Sequence, residues 1–143
     1  MKSLNLSEVE YLAYHLSVFT EENKEFKEPI PAFQTRFPKA LESCLAVPFQ
    51  RFQGKDLYKG LLPKASILFY LMIKNHPFQN GNKRIAMAVL LIFLYKNRKW
   101  LKADNQELYN FVIWVTTSPG ELKNEVTKGI AKFLKSHLVD IKY

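Results

Sequence analysis

The chain has 143 residues, of which 48% are hydrophobic, 14% aromatic and 24% charged, a composition that suits one folded domain with a real core and excludes an intrinsically disordered chain. Its single cysteine, Cys44, excludes an internal disulfide framework, and histidines at 15, 76 and 137 lack the spacing of a metal cluster; a reducing, cytoplasmic setting is expected. The formal charge of +8, from 21 Lys plus Arg against 13 Asp plus Glu, favours polyanionic partners without choosing among nucleotides, acidic proteins and nucleic acid.

The opening "MKSLNLSEVEYLAYHL" turns acidic and amphipathic where a signal peptide would need an apolar core. Ser7 and Glu10 have capping-box spacing, and Val9, Leu12, Ala13, Leu16 and Phe19 recur at helical intervals, which predicts a first helix over 7–19. The segment "TEENKEFKEPIP" reads as a loop. Pro38 suits a helix's first turn, so "KALESCLAV" predicts a short helix closed by Pro48. Residues 47–62 carry two glycines and a proline and show no clean apolar face; an extended flap or hairpin is expected.

From Pro63, "KASILFYLMIKN" predicts an apolar helix that stops near Asn75, because His76 precedes a proline and is disfavoured in the α region. Asn82 can cap the next helix, which is apolar almost all round over 85–95 and is expected at the centre of the domain. That run is the longest apolar one, and it falls short of the roughly 18 residues a membrane span needs. A last pair is expected over 105–116 and 119–135, with Ser118 as cap and Pro119 at the first position. The sum is an all-α single domain over 1–143, of about six helices with a short hairpin flap and no internal repeat.

The stretch "NHPFQNGNKRIA", 75–86, stands out. A helix that starts after Gly81 leaves the amides of Gly81, Asn82 and Lys83 unpaired, and the helix dipole favours an anion before them. Lys83 and Arg84 add charge where cations oppose the dipole by a few tenths of a kcal/mol; a bound polyphosphate would offset that. His76 could accept a proton from an attacking hydroxyl. Base, anion nest and cationic clamp are the parts of phosphoryl or nucleotidyl transfer. Neither G-x-x-x-x-G-K-[ST] nor G-x-G-x-x-G occurs, which excludes the usual nucleotide folds. From these residues alone a plain loop with an Asn-Gly turn remains the alternative.

"HPFQNGNKR" resembles the signature loop of the Fic/Doc family, H-x-F-x-[DE]-[GA]-N-[GK]-R, in eight of nine positions counting the two unspecified ones. Helix order, "LE" at 41 and 42 before Pro48, the flap, and the apolar helix after the motif extend the likeness to compact, Doc-like members over 7–135. The resemblance implies that His76 is the general base and Phe78 the buried anchor of the loop. It implies that Gly81, Asn82 and Lys83 form the phosphate-binding turn and that Arg84 pairs the outer phosphates. It implies ATP as substrate with Mg²⁺, and transfer of AMP or of a phosphoryl group to a protein hydroxyl, with Lys83 leaning toward the Doc-like branch.

The flap, with Phe49, Gln50, Arg51 and Phe52, would align the target as an added strand. A protein substrate, a translation factor such as EF-Tu among the candidates, and a separate antitoxin are the implied partners. Asn80 departs from the pattern: it stands where the family has the acid that holds Mg²⁺, and an amide oxygen binds a hard cation more weakly. Met87 replaces a second arginine. The inhibitory pattern [ST]-x-x-x-E-[GN] fails at its last position at both 117–121 and 17–21, so no built-in restraint is expected.

The remaining residues have plainer readings. His15 is expected to be partly buried, His137 solvated in a basic tail, Phe93 and Trp114 in the core, and Cys44 a small buried hydrophobe. Two other functions are carried beside the transferase: a nucleotide- or protein-binding module without catalysis, motivated by Asn80, and a basic nucleic-acid binder, supported by charge alone. The basic residues lack aromatic interleaving, which ranks nucleic acid last as a direct ligand.

Overall fold

The computed structural model describes residues 1–22, 33 and 36–142, with backbone alone for 17–22; most of the loop expected over 20–31 lies outside them. Among the described residues there are six α-helices and two small antiparallel strand pairs: α1 (Leu6–Glu22), α2 (Pro38–Ala46), β1 (Arg51–Phe52), β2 (Lys55–Asp56), α3 (Leu61–Lys74), α4 (Asn82–Lys96), β3 (Lys99–Leu101), α5 (Asn105–Thr117), α6 (Lys123–His137) and β4 (Leu138–Asp140). The all-α class with a small hairpin is what the sequence predicts.

α1 starts one residue earlier than expected, on a different box. The Glu8 amide donates to Asn5 Oδ1 at 2.9 Å, and the Asn5 amide donates to Glu8 Oε1 at 3.1 Å. Ser7–Glu10 has the same spacing, but only the Asn5 frame puts Leu4 and Val9 at the staple positions that flank the cap, and both are buried. Glu8 also pairs with Lys96 Nζ at 2.7 Å, which ties the start of α1 to the end of α4.

α3 is the central helix, a place the sequence suggested for α4. Every residue from 64 to 73 is buried, and α3 packs against α4 and α6. α4 buries Ile85, Ala86, Val89, Leu90, Phe93 and Leu94 and leaves Met87, Ala88, Leu91 and Ile92 partly exposed, because its other side faces a cavity and α1. Phe69, Phe78 and Phe93 are fully buried, each worth about 2–3 kcal/mol relative to exposure. Cys44 is buried as expected, and burial pushes its thiol up to about 11.

The flap is a hairpin of two residue pairs, Arg51 with Asp56 and Phe52 with Lys55. Gln53 and Gly54 have φ of 51° and 77°, the positive pair that lets a two-residue turn follow the strand twist. All four strand residues are exposed, so apolar burial does not hold the hairpin. Lys64, only 4% exposed in the first turn of α3, holds it: its Nζ donates to Asp56 Oδ2 at 3.1 Å and to the Tyr58 carbonyl, and lies over the Phe49 ring.

The sequence did not suggest the second strand pair, in which β3 and β4 align Trp100 with Val139 and Leu101 with Leu138. Three side chains also sit differently from expectation. His15 is exposed beside Tyr11 and Tyr14. Trp114 is 45% exposed and points the edge of its ring at Gly129 of α6, where the missing Cβ makes room for a ring on the surface. His137 is clasped, with Nε2 2.9 Å from Glu107 Oε2 and its ring stacked on Phe133. No helix among the described residues is long and apolar enough to cross a membrane.

Candidate functional site

The loop between α3 and α4 is built by a helix stop and a helix start. Asn75 closes α3, donating its amide to the Leu71 carbonyl at 2.9 Å. His76 follows in the left-handed region with φ 46°, the conformation a helix C-terminus favours for glycine. For a β-carbon-bearing residue before a proline this costs on the order of 1–3 kcal/mol, a strain met most often at functional sites. It leaves the His76 side chain exposed.

The loop is anchored on both sides. The Pro77 carbonyl accepts the Phe37 amide at 2.9 Å, and the Phe78 ring, 1% exposed, lies 6.2 Å from that of Phe33. Asn82 is the first residue of α4 and does not cap it. Its Oδ1 accepts from the Phe78 amide at 3.0 Å and its Nδ2 donates to the Phe78 carbonyl at 2.9 Å, so one amide side chain clasps both backbone groups of Phe78. The cap position falls to Gly81, with φ 70° and no side-chain hydrogen bond. The first amides of α4 are therefore not claimed by a capping side chain.

His76, Gln79, Asn80, Gly81, Asn82, Lys83 and Arg84 all border one cavity of about 650 Å³. The structure thus brings His76 together with Asn80 and with Gly81, Asn82 and Lys83, the residues expected to form the phosphate turn. Phe78 lies behind the loop as its buried anchor. The hairpin residues do not border this cavity: Gln50, Arg51 and Phe52 are exposed, and Phe49 turns inward, its ring edge-on to Phe93 at 6.1 Å. The far wall is apolar and was not foreseen. Leu108, Val112 and Ile113 of α5 form it with Tyr109 and Thr116, joined by Ile73 of α3 and Met87 of α4. Its sequence signal was a second apolar stripe on α5 beside the buried Phe111 and Val115.

The sequence model of the Fic/DOC family matches residues 5–94. The chain belongs to the Fic/DOC family. Its members are generally transferases and generally use ATP. Toxin Doc of Mycolicibacterium smegmatis is 38% identical over 64 residues, which are 45% of this chain and 49% of that toxin; the match spans about half of the relative's length. No solved structure matches. The matched family segment ends at the close of α4, so the α5 wall of the cavity lies beyond it.

The fit of a divalent cation can be tested on the donors. Asn80 Oδ1 is sealed from solvent and has no hydrogen-bond partner among the described residues, and no carboxylate occurs among the described residues that border the cavity. Among the described residues, one neutral oxygen beside Lys83 and Arg84 makes a poor Mg²⁺ site, because no charged oxygen of the protein is there to offset the cation's dehydration.

Proposed function

We propose that this Fic/DOC-family chain is a single-domain cytoplasmic transferase that moves a phosphoryl group, or alternatively AMP, from ATP to a hydroxyl side chain of a protein, and that it acts as the toxin of a toxin and antitoxin pair. The observation that supports this most is that His76 and the open start of α4 border the same cavity. A hydroxyl donor and a polyphosphate could therefore meet there.

In this reading the neutral His76 imidazole accepts the proton of the target hydroxyl as its oxygen attacks phosphorus. A bond forms from that oxygen to the γ-phosphorus, the bond from the γ-phosphorus to the bridging oxygen breaks, and ADP leaves. Attack at the α-phosphorus instead gives the AMP adduct and releases pyrophosphate. The amides of Gly81, Asn82 and Lys83 with the Arg84 guanidinium bind the phosphate oxygens. The apolar α5 wall offers a surface for the base of the nucleotide. The exposed hairpin, with Arg51 and Phe52 at its edge, is where an extended target segment would add as a strand.

Incubation of cell extract with γ-labelled and with α-labelled ATP tests the proposal. Label from the γ position on protein is the expected result, label from the α position would assign AMP transfer, and transfer of neither would refute the enzyme. Asn80 motivates one other reading, a nucleotide- or protein-binding module without catalysis. Transfer by Asn80→Asp from a silent wild type would establish that module.

A further inference from the structure

The cavity carries an imidazole, an ammonium and a guanidinium and, among the described residues that border it, no acid. A carboxylate at position 80 could share the site with phosphate only through a cation between them, since the two anions repel at close range. A carboxamide has no such requirement. Its NH₂ group can donate straight to a phosphate oxygen, and which of its two ends faces a ligand follows the hydrogen bonds on offer. At Asn80 the Oδ1 end is buried and has no hydrogen-bond partner among the described residues.

The rest of the charge compensation is supplied by the chain. Lys83 stands exposed in the first turn of α4, Arg84 follows it, and Gly81 leaves the helix start without a capping side chain. These groups do for a polyphosphate what a divalent cation does elsewhere, by placing positive charge and donors against its oxygens.

We infer that this site takes the nucleoside triphosphate as the free anion and not as its Mg²⁺ complex, with Asn80 donating a hydrogen bond to the polyphosphate in place of a metal bridge. The inference rests on the transferase reading and names the form of its substrate.

Calorimetric titration of the purified chain with ATP, once in EDTA and once in excess MgCl₂, tests it. The wild type is expected to bind ATP in EDTA at least as tightly as with Mg²⁺. Asn80→Asp is expected to reverse the order, binding about tenfold or more weakly in EDTA, where a carboxylate then faces phosphate with no cation between. Asn80→Ala is expected to bind less tightly than the wild type in EDTA and to gain no Mg²⁺ dependence. A wild type that binds ATP only with Mg²⁺ overturns the inference and leaves the transferase reading standing. Binding of ATP under neither condition removes both. An alanine variant as tight as the wild type in EDTA removes the donor role of Asn80.

Discussion

The two ends of α3 both carry polar groups out of a helix that is otherwise buried, and they treat those groups in opposite ways. At the first turn, the Lys64 ammonium meets the Asp56 carboxylate, the Tyr58 carbonyl and the face of Phe49; it is buried and satisfied. Past the last turn, Asn80 Oδ1 is buried and unsatisfied among the described residues, the α4 start lacks a capping side chain, and His76 sits in a strained conformation. Polar groups that satisfy one another hold structure, whereas groups left unspent at a cost are available to a ligand.

That contrast is broken most directly at His76. Replacing it with alanine is expected to lower labelled transfer by about 10²–10⁴-fold, the range for loss of a general base, while thermal unfolding changes by no more than about 0.5 kcal/mol because the side chain is exposed. Replacing it with glycine should abolish transfer equally and raise stability by about 0.5–1 kcal/mol, since glycine adopts φ 46° without strain. A destabilised glycine variant would mean that the left-handed backbone at 76 stores no strain.

Asn82 gives the next largest effect and separates clasp from ligand. Asn82→Ala removes both hydrogen bonds to Phe78 and leaves that residue's buried backbone groups unpaired. A loss of about 1–3 kcal/mol in denaturant unfolding is expected, together with loss of ATP binding as the turn opens. Stability unchanged from the wild type would show that Phe78 packing alone shapes the loop.

At the opposite end, Asp56→Ala leaves the buried ammonium of Lys64 with the Tyr58 carbonyl as its remaining hydrogen-bond acceptor among the described residues. Asp56 is itself 44% exposed, so solvent screening limits the cost to about 1–2 kcal/mol. The loss should be local. Amide hydrogen exchange is expected to quicken across residues 50–58 and to stay unchanged in α4, and ATP affinity should hold. Uniform exchange with reduced ATP affinity would mean that the two ends of α3 are not independent.

The loop end of α3 was legible in the sequence because each constraint there is local. Pro77 ends the preceding helix, Gly81 supplies a positive φ, and the run from His76 to Arg84 matches a long family pattern. Asn82 was misjudged for the same reason: capping is the local use of an asparagine before a helix, and only the fold brings Phe78 under its amide. The hairpin end was half legible. Its turn follows from Gln53 and Gly54, but nothing near Lys64 in the sequence says that a lysine before "ASILFY" will be buried by a carboxylate eight residues upstream. The α5 wall and the β3–β4 pair were hidden because both depend on where separate elements dock. α3 and α4 were interchanged as the central helix because both are apolar on most sides, and docking decides which is surrounded.

His137 belongs to neither kind of polar group, because its partners are satisfied in one protonation state and not in the other. Nδ1 lies 2.8 Å from the Phe133 carbonyl and Nε2 2.9 Å from Glu107 Oε2. Both partners are acceptors, so the imidazolium fills both bonds and the neutral ring fills one. The Phe133 carbonyl first, then Glu107, raise the pKa above the ordinary 6.5, with Asp104 adding to the field. A pKa raised by folding gives stability that is complete below 6.5 and is lost as pH rises through the folded value. Glu107 also accepts the Asp104 amide in the capping box that starts α5, and α5 is the far wall of the cavity. Urea midpoints are therefore expected to fall from the acid to the alkaline side of this range by more in the wild type than in His137→Gln. Parallel pH profiles for the two would mean that the clasp holds equally well with a neutral ring, and so sides with the satisfied end of α3.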